Sequence, residues 1–296
     1  MRIKKIWAGG CGLVIILTCI LNLKFCDELV HIKNDVKQVI TNKVRYSEDL
    51  NYLDGEVAES GFYKEENLIA HGGGGVNGFT YTNSLESIKK AMERYDYIEV
   101  DLLCTSDNHV VLKHNWEGET LSYSEFMSQK IYGYFTPIDL KTLLELAAGS
   151  EKKFILDPRF ADKNQIETFF EELEFYCSTE YVEKNLAIII NDISILQSPG
   201  DEININWIYR LGLNDKLSDV IALCIQNSIE AICIDPSYID NPEQLNCFEK
   251  FNIKCLIYKT NDPKTAMRYW EHGVKCIFTD FIVKEDLEEL SLLKEQ

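Results

Sequence analysis

Short apolar runs alternate with longer amphipathic segments from residue 68 to the end of the chain. The runs have the length and composition of β-strands, whereas the segments between them repeat apolar positions with the period of a helix. The runs predict strands at 68–71, 97–104, 109–114, 153–157, 186–191, 230–235, 253–260 and 275–280. The periodic segments predict helices near 83–94, 138–147, 163–177, 216–227, 263–272 and 284–293.

This alternation is typical of an α/β domain in which helices connect parallel strands. Eight strand runs, mostly followed by helices, predict a single (β/α)8 TIM barrel. An open doubly wound sheet is the alternative architecture. The connection TSDNH between the second and third runs is too short for a crossover helix. We therefore expect either that 109–114 pairs antiparallel with 97–104 or that the barrel lacks one helix there.

The N-terminal segment has a different pattern. Ile6–Leu23 is a run of 18 uncharged residues preceded by Arg2, Lys4 and Lys5, which predicts a transmembrane signal anchor. We expect a single-pass protein of the cell membrane whose larger part lies outside the cytoplasm. A cleaved signal peptide is the alternative, although no small-x-small cleavage site follows the run. The predicted organisation is a cytoplasmic basic tip and anchor at 1–26, a stalk or linker at 27–66 and the barrel at 67–296.

The chain is acidic, with a formal net charge of −18. Four of its 30 basic residues precede the first acidic one, so the part beyond Cys26 has 26 basic and 48 acidic residues, a charge of −22. Such a domain repels phosphate backbones at long range, and nucleic acid is therefore not an expected partner.

The ten cysteines include no C-x-x-C pair. Those at positions 104, 224, 233, 255 and 276 each lie alone inside an apolar run. We interpret them as buried hydrophobic residues with free thiols, not as metal ligands or a disulfide framework.

Polar side chains gather at the ends of the predicted strands, where a TIM barrel places its active site. Glu99 and Asp101 are two residues apart in one strand and therefore project from the same face. Two adjacent carboxylates repel each other unless a cation lies between them, and Asp157 on another strand can supply a third ligand. A hard divalent ion, Mg²⁺ or Ca²⁺, meets this need. The alternative is a solvated Glu-Asp pair at a strand edge.

Two histidines, His71 and His114, end the strands that flank the Glu99–Asp101 strand. With a metal ion holding a phosphoryl oxygen, one imidazole can take a proton from an attacking hydroxyl while the other gives one to the leaving oxygen. Four glycines at 72–75 follow the first histidine, and their backbone N–H groups can form an anion-binding concavity. The loop lacks the G-x-G-x-x-G and G-K-[ST] contexts, so we expect neither a dinucleotide nor a nucleoside triphosphate.

Seven segments, in order, resemble the motifs of the glycerophosphodiester phosphodiesterase family, one of the phosphatidylinositol phospholipase C-like phosphodiesterase barrels. They are IAHGG, YTNSLES, YIEVDLLCTSDNHVVLKHN, TPIDLKTLLELA, FILDPR, IYKTNDPKTAMRYWEHGV and IFTDF, and together they cover about residues 67 to 285. Family members are metal-dependent (β/α)8 barrels, so the resemblance implies His71 and His114 as the acid/base pair. It also implies Glu99, Asp101 and Asp157 as ligands of the metal.

The positions that would bind the substrate depart from the family pattern. Gly72 stands where the family has a phosphate-binding arginine, and Tyr258 stands where it has a tryptophan. At the other altered positions, Thr82, Asn115, Asp157 and Arg159 replace glutamate, aspartate, glutamate and lysine. Arg159 can restore a cation if its side chain points into the barrel mouth. The substrate-binding positions that the resemblance implies are Gly72, Gly73, Asn83, Asn115, Arg159 and Tyr258.

Together these features predict a membrane-anchored, metal-dependent phosphodiesterase acting outside the cytoplasm. Its expected substrate is a glycerophosphodiester, a lipid headgroup or a glycerol-phosphate polymer of the envelope. A second hypothesis keeps the barrel and the metal but makes it a phospholipase that cleaves lipid headgroups through a cyclic phosphate, as related phospholipase barrels do. A third is a barrel that has lost catalysis and binds phosphorylated glycans as a scaffold, which the altered positions favour.

Overall fold

A computed structural model describes residues 50, 52–63, 65–197, 204–239 and 241–294. The predicted signal anchor at 1–26 and the stalk as far as residue 49 lie outside these residues. Within the described residues, no helix combines the length and the hydropathy that crossing a membrane requires.

A closed barrel of eight parallel strands forms the centre of the described chain, which confirms the predicted TIM barrel. The strands are β1 (Asn67–Ala70), β2 (Tyr97–Cys104), β3 (Val110–Leu112), β4 (Lys153–Pro158), β5 (Leu186–Ile190), β6 (Asn206–Arg210), β7 (Ala231–Ile234), β8 (Lys254–Ile257) and β9 (Cys276–Thr279). All except β3 belong to the wall. Strand β1 pairs in parallel with β9 on one side and with β2 on the other, which closes the barrel and excludes an open sheet.

Helices connect most of the strands. They are α1 (Leu85–Arg94), α2 (Tyr123–Ser128), α3 (Leu140–Ala148), α4 (Lys163–Tyr176), α5 (Thr179–Asn185), α6 (Leu217–Gln226), α7 (Asn246–Glu249), α8 (Pro263–Trp270) and α9 (Lys284–Lys294). The six helices that the apolar period predicted correspond to α1, α3, α4, α6, α8 and α9. Ser84, Asp139 and Asp162 each begin one of them by accepting a hydrogen bond from a backbone N–H of the first turn.

The irregularity between the second and third predicted strands is a hairpin. Strand β3 pairs antiparallel with the end of β2, with Leu112 opposite Leu102, and stays outside the barrel wall. Asn108 turns the chain with a φ of 61°, a conformation that asparagine tolerates better than most residues. The antiparallel alternative is therefore correct, and the predicted strand at 109–114 is not one of the eight barrel strands.

The eighth barrel strand is β6, which the apolar pattern did not reveal. Its sequence NWIYR begins and ends with polar residues, so it does not form an apolar run of the kind that marks the other strands. It nevertheless pairs in parallel with β5 and β7, with Trp207 opposite Ile188 and Tyr209 opposite Ile232. Because β6 ends at Arg210, the barrel brings a guanidinium to its carboxyl end that the sequence analysis did not anticipate.

Phe62 and Tyr63, which lie in the predicted linker, close the N-terminal end of the barrel. Phe62 and Tyr63 are buried in the core formed by the inward side chains of the strands. The hydroxyl of Tyr97 donates to the Phe62 carbonyl at 2.7 Å, and Lys153 donates to the same oxygen. Tyr97 and Lys153 begin their strands, so this contact lies at the end of the barrel opposite the predicted site. The barrel core thus includes chain that precedes residue 67.

We expect Phe62→Ala to destabilise the protein by about 3–5 kcal/mol, because it removes a fully buried aromatic ring from the core. Urea unfolding followed by circular dichroism measures this change. Phe175→Ala is the matched control, since that ring is 77% exposed and its loss should change the free energy of unfolding by less than about 0.5 kcal/mol. Equal effects of the two substitutions would contradict a structural role for the closing segment.

Candidate active site

Three carboxylates lie together inside the barrel near the carboxyl ends of β2 and β4. Glu99 and Asp101 project from one face of β2, and Asp157 of β4 lies opposite Asp101. One oxygen from each of the three lies within 4.8 Å of the others, and all three side chains are buried. Strand alternation and parallel register produce this cluster, because residues two apart share a face and neighbours in register lie side by side.

Burial and mutual repulsion disfavour the charged forms of Glu99 and Asp101. Burial raises the pKa of Glu99, and the charges of Asp101 and Asp157 raise it further. Burial and Asp157 also raise the pKa of Asp101. Among the described residues, Glu99 Oε1 has no hydrogen-bond partner. A hard divalent cation fits this set, because it would offset the repulsion and use the unpartnered oxygen as a ligand.

Two arginines approach the carboxylates from the ends of β4 and β6. Arg159 Nη2 lies 3.1 Å from Asp157 Oδ2 and 2.7 Å from Asp101 Oδ1, the latter an ion pair without hydrogen-bond geometry. Arg210 Nη2 donates to Asp157 Oδ2 at 2.7 Å. Burial alone would lower the pKa of Arg210, but the charge of Asp157, the hydrogen bond to it and the neighbouring Cys233 and Tyr258 together outweigh burial and raise the pKa. The two guanidinium groups offset part of the negative charge of the cluster.

His71 follows β1 and is fully buried. Its Nδ1 lies 2.7 Å from Asp280 Oδ1, and its Nε2 lies 2.8 Å from the hydroxyl of Tyr258. Lys259 and Asn261 each donate to the other oxygen of Asp280 at 2.7 Å. Burial alone would raise the pKa of Asp280, but these three hydrogen bonds outweigh it and lower the pKa to about 2. An ionised carboxylate at Nδ1 favours the tautomer in which Nε2 is the proton acceptor.

Hydrogen bonds hold Gly72, the residue after His71, and Asn83 against the carboxylates. The N–H of Gly72 donates to Glu99 Oε2 at 2.7 Å. The side chain of Asn83 donates to Asp101 Oδ2 at 2.8 Å and accepts from the Asp101 N–H at 3.0 Å. Asn83 in turn donates its own N–H to the Gly72 carbonyl at 3.1 Å. Asn83, predicted to bind the substrate, therefore holds a carboxylate of the cluster in place.

The second histidine, His114, lies near the first. The ring of Tyr81 contacts both, with centroid distances of 4.5 Å to His71 and 4.3 Å to His114. Asn115, also predicted to bind the substrate, is exposed and its amide donates to His114 Nδ1 at 2.7 Å. Burial lowers the pKa of His114, and the positive charge of Arg159 lowers it further. The structure thus brings both predicted catalytic histidines to one end of the barrel.

The glycine loop after β1 does not form the predicted anion-binding concavity. The N–H groups of Gly72, Gly74 and Gly75 all donate to acceptors within the protein. Gly73 packs against α1, where an added Cβ would lie 2.8 Å from the Ser87 Oγ. Positive φ angles at the first three of these glycines explain why the loop needs them.

The model of the Glycerophosphoryl diester phosphodiesterase family matches residues 71–208, a range that includes both histidines and the three carboxylates. This part of the barrel is similar to that family. Its members are phosphoric diester hydrolases, and the residues that the family match covers are those that the structure gathers at the carboxyl ends of the strands. No curated protein sequence matches the chain.

Solved structures of glycerophosphodiester phosphodiesterases share the fold. One from Parabacteroides distasonis is 17% identical, covers 79% of this chain and 100% of its own, and superposes with a TM-score of 0.63. One from Thermotoga maritima is 17% identical, covers 77% and 98%, and has a TM-score of 0.59. An Oleispira antarctica phosphodiesterase in complex with the product sn-glycerol-3-phosphate is 16% identical, covers 76% and 96%, and has a TM-score of 0.62. At these identities the likeness establishes the fold.

Four residues of this candidate site were not predicted. Asp280 and Lys259 lie in the segments IFTDF and IYKTND, so the signal for them was present although no role was assigned. Tyr81 is the first residue of the segment YTNSLES, so a signal was present for it as well. Arg210 lies outside the seven segments and was not found because β6 was not predicted.

Two grooves adjoin the candidate site. One, of about 580 Å³, lies beside His114 and is rich in aromatic side chains, whereas the other, of about 990 Å³, lies beside Arg159 and Arg210. The first is lined in part by Tyr81, Trp116 and Tyr132, and the second by Asn191, Asp192 and Ser194. A phosphodiester carries two substituents, so a groove on each side gives room for both.

We expect Glu99→Gln to make the chelator-treated protein more stable near neutral pH, because it removes one of three repelling carboxylates. The pKa of Glu99 is raised in the folded state, so its contribution to stability is present below the unfolded pKa and is lost as the pH rises through the folded pKa. The melting temperature of wild type in chelator should therefore fall from about pH 5 to about pH 8 more steeply than that of the variant.

Differential scanning calorimetry with and without Mg²⁺ or Ca²⁺ measures both effects. Either ion should raise the melting temperature of wild type and should raise that of Glu99→Gln less. Glu93→Gln, on the exposed face of α1, should behave as wild type does. A wild-type melting temperature that neither ion changes would contradict the metal site.

Proposed function

We propose that this barrel hydrolyses a glycerophosphodiester or a closely related phosphodiester, using a divalent cation and two histidines as acid and base. One observation carries the proposal. Gly72, the residue after His71, donates its N–H to Glu99 at 2.7 Å, so the buried histidine is next in the chain to a residue that is bonded to the carboxylate cluster. The match to the family model supports the class of reaction.

His71 is the base in this proposal. Asp280 accepts from Nδ1, which leaves the lone pair of Nε2 to receive a proton from the attacking oxygen. Once protonated, the ring remains paired with an ionised carboxylate that stabilises its charge. The hydroxyl of Tyr258 is hydrogen-bonded to Nε2 at 2.8 Å in this structure. The attacking oxygen therefore has to take the place of that hydroxyl.

His114 is the acid. It lies at the mouth of the barrel, beside the groove of about 580 Å³ that would receive the departing alcohol. The lowered pKa of His114 makes its protonated ring a stronger acid, which favours transfer of a proton to the leaving oxygen. The ring of Tyr81 contacts both imidazoles and lies between the proposed base and the proposed acid.

Glu99, Asp101 and Asp157 would hold the cation, which when bound supplies a Lewis acid for a phosphoryl oxygen. The chain itself fixes the three ligands before any ion arrives. Gly72 orients Glu99 and Asn83 grips Asp101 through two hydrogen bonds, so neither carboxylate must be reoriented.

The proposed substrate class follows from the grooves and from the relatives. The Oleispira antarctica phosphodiesterase holds sn-glycerol-3-phosphate as its product, which supports a glycerophosphodiester here. The groove of about 990 Å³ leaves room for a second substituent larger than glycerol. A lipid headgroup and a glycerol-phosphate polymer of the envelope therefore stay within the proposed class.

We further propose that the barrel works outside the cytoplasm. The support is the uncharged run Ile6–Leu23 that follows three basic residues, which is typical of a signal anchor. Fusions of the full chain to alkaline phosphatase and to green fluorescent protein at the C-terminus test this location. Activity of the phosphatase fusion without fluorescence of the other is the expected result, and the reverse result would place the barrel in the cytoplasm.

Replacement of either histidine should lower kcat by roughly 100- to 10,000-fold, because each removes a proton-transfer step. The assay is hydrolysis of a panel of glycerophosphodiesters and of bis(p-nitrophenyl) phosphate by wild type, His71→Gln and His114→Gln, with Mg²⁺, Ca²⁺ or chelator. His109→Gln is the matched control, since that ring is 53% exposed and remote from the carboxylates. A folded wild type that binds the cation but hydrolyses no member of the panel would favour the scaffold hypothesis.

The imidazole of His114 should titrate below its usual pKa of 6.5, because it is half-buried beside positive charges. Histidine-selective NMR titration of wild type and Arg159→Gln measures this value. Removal of the arginine should raise the pKa, since its charge is among the causes of the shift. A His114 pKa above 6.5 in wild type would contradict the assignment of His114 as a strengthened acid.

A further inference from the structure

Residue 72 cannot supply a cation to this site. Its φ of 56° is one that side chains other than glycine rarely adopt, and an added Cβ would lie 3.0 Å from the backbone Cα of Tyr81. An arginine there would have to displace the Tyr81 backbone. The phosphate group of a substrate must therefore find its positive partners on other strands.

Three cationic side chains surround the carboxylate cluster and His71, and they differ in how much of their hydrogen-bonding capacity is used. Lys259 donates to Asp280 and lies 4.4 Å from the centroid of the Tyr81 ring. Arg159 donates to Asp157 through both Nε and Nη2, and its Nη2 also pairs with Asp101. Both cations are thus committed to acidic partners.

Of the three cations, Arg210 uses the fewest of its hydrogen-bond donors within the described residues. Among the described residues its guanidinium makes a single hydrogen bond, from Nη2 to Asp157 Oδ2 at 2.7 Å. A guanidinium has five N–H donors, so most of them remain available to a ligand. The side chain is 29% exposed, borders the groove of about 990 Å³ and lies 5.5 Å from the centroid of the Tyr258 ring. Asp157 and Tyr258 contact the guanidinium but leave part of it accessible to a ligand.

We propose that Arg210 binds the phosphate of the substrate from the end of β6 and so supplies the positive contact that residue 72 cannot. This inference rests on the proposed function. The guanidinium bonds to a carboxylate of the cluster on one side and borders the larger groove on the other. A phosphoryl oxygen close to the cluster can then accept a hydrogen bond from the same group that anchors Asp157. The substituent of the phosphate nearest Arg210 lies in the larger groove.

A merely structural role for Arg210 makes a different prediction. If it only neutralises Asp157, its removal changes the binding of cations and leaves the binding of phosphate unaffected once the cation site is saturated. If it binds phosphate, its removal weakens phosphate binding, whereas cation binding stays the same or becomes tighter because a positive charge has been lost. Phosphate binding at a saturating concentration of the cation therefore separates the two roles.

The experiment uses the full-length chain in detergent, as wild type, Arg210→Gln, Arg210→Lys and Arg268→Gln. Arg268 lies exposed on α8 and is the matched control. Isothermal titration calorimetry gives the Kd of Mg²⁺ alone and then the Kd of inorganic phosphate and of sn-glycerol-3-phosphate with Mg²⁺ saturating. Circular dichroism verifies that each variant is folded.

We expect Arg210→Gln to weaken binding of both phosphate probes by roughly 10- to 100-fold, the usual effect of losing a hydrogen bond to a charged group. Arg210→Lys should recover part of the loss, since it keeps the charge but not the planar fork. Arg268→Gln should match wild type. Binding of Mg²⁺ should be unchanged or tighter in Arg210→Gln.

Unchanged phosphate binding in Arg210→Gln would overturn the inference, and so would a loss that disappears when Mg²⁺ is saturating. These outcomes are independent of turnover. A wild type that hydrolyses no phosphodiester but binds phosphate through Arg210 would refute the proposed function and leave this inference standing. If wild type hydrolyses a phosphodiester and Arg210→Gln binds phosphate as tightly as wild type does, the proposed function stands and this inference is refuted.

Discussion

Three carboxylates within 4.8 Å of one another, inside a barrel, impose a requirement that the surrounding residues have to satisfy. Buried like charges are costly unless cations or hydrogen-bond donors face them. Around this cluster the chain supplies two guanidinium groups, the N–H of Gly72 and the amide of Asn83. One oxygen of Glu99 is still unpartnered among the described residues. A divalent cation would supply the remaining neutralising charge.

The barrel keeps this charged cluster apart from its apolar core. Phe62 and Tyr63 fill the N-terminal end, and the inward residues next to them are apolar, such as Ile155 and Ile208. The carboxylates lie nearer the carboxyl ends of the strands, so apolar side chains of the core adjoin them on one side. That environment accounts for the raised pKa of Glu99, and the same low polarity strengthens each contact that a substrate phosphate would make.

Sequence reasoning succeeded where a residue's position follows from a regular period. The E-x-D spacing places Glu99 and Asp101 on one face of a strand whatever surrounds them, and His71 ends a run that is plainly apolar. It did not succeed for β6, because a five-residue strand with polar ends gives no apolar run to recognise. It also misjudged the glycine loop, since whether an N–H group is free depends on acceptors such as Glu99 that are distant in sequence. Periodicity determines which residues share a face, and only the closed barrel determines their partners.

The departures from the family pattern are physically connected to one another. Glycine at position 72 lets the Tyr81 backbone approach, and the Tyr81 ring then contacts both histidines and faces Lys259. Tyrosine at position 258 places a hydroxyl on His71 Nε2 and lies beside the guanidinium of Arg210. An arginine restored at position 72 alone would meet the Tyr81 backbone, so single reversions to the family pattern do not rebuild the family arrangement. The residues at positions 72 and 258 are thus linked through their contacts with Tyr81, His71 and Arg210.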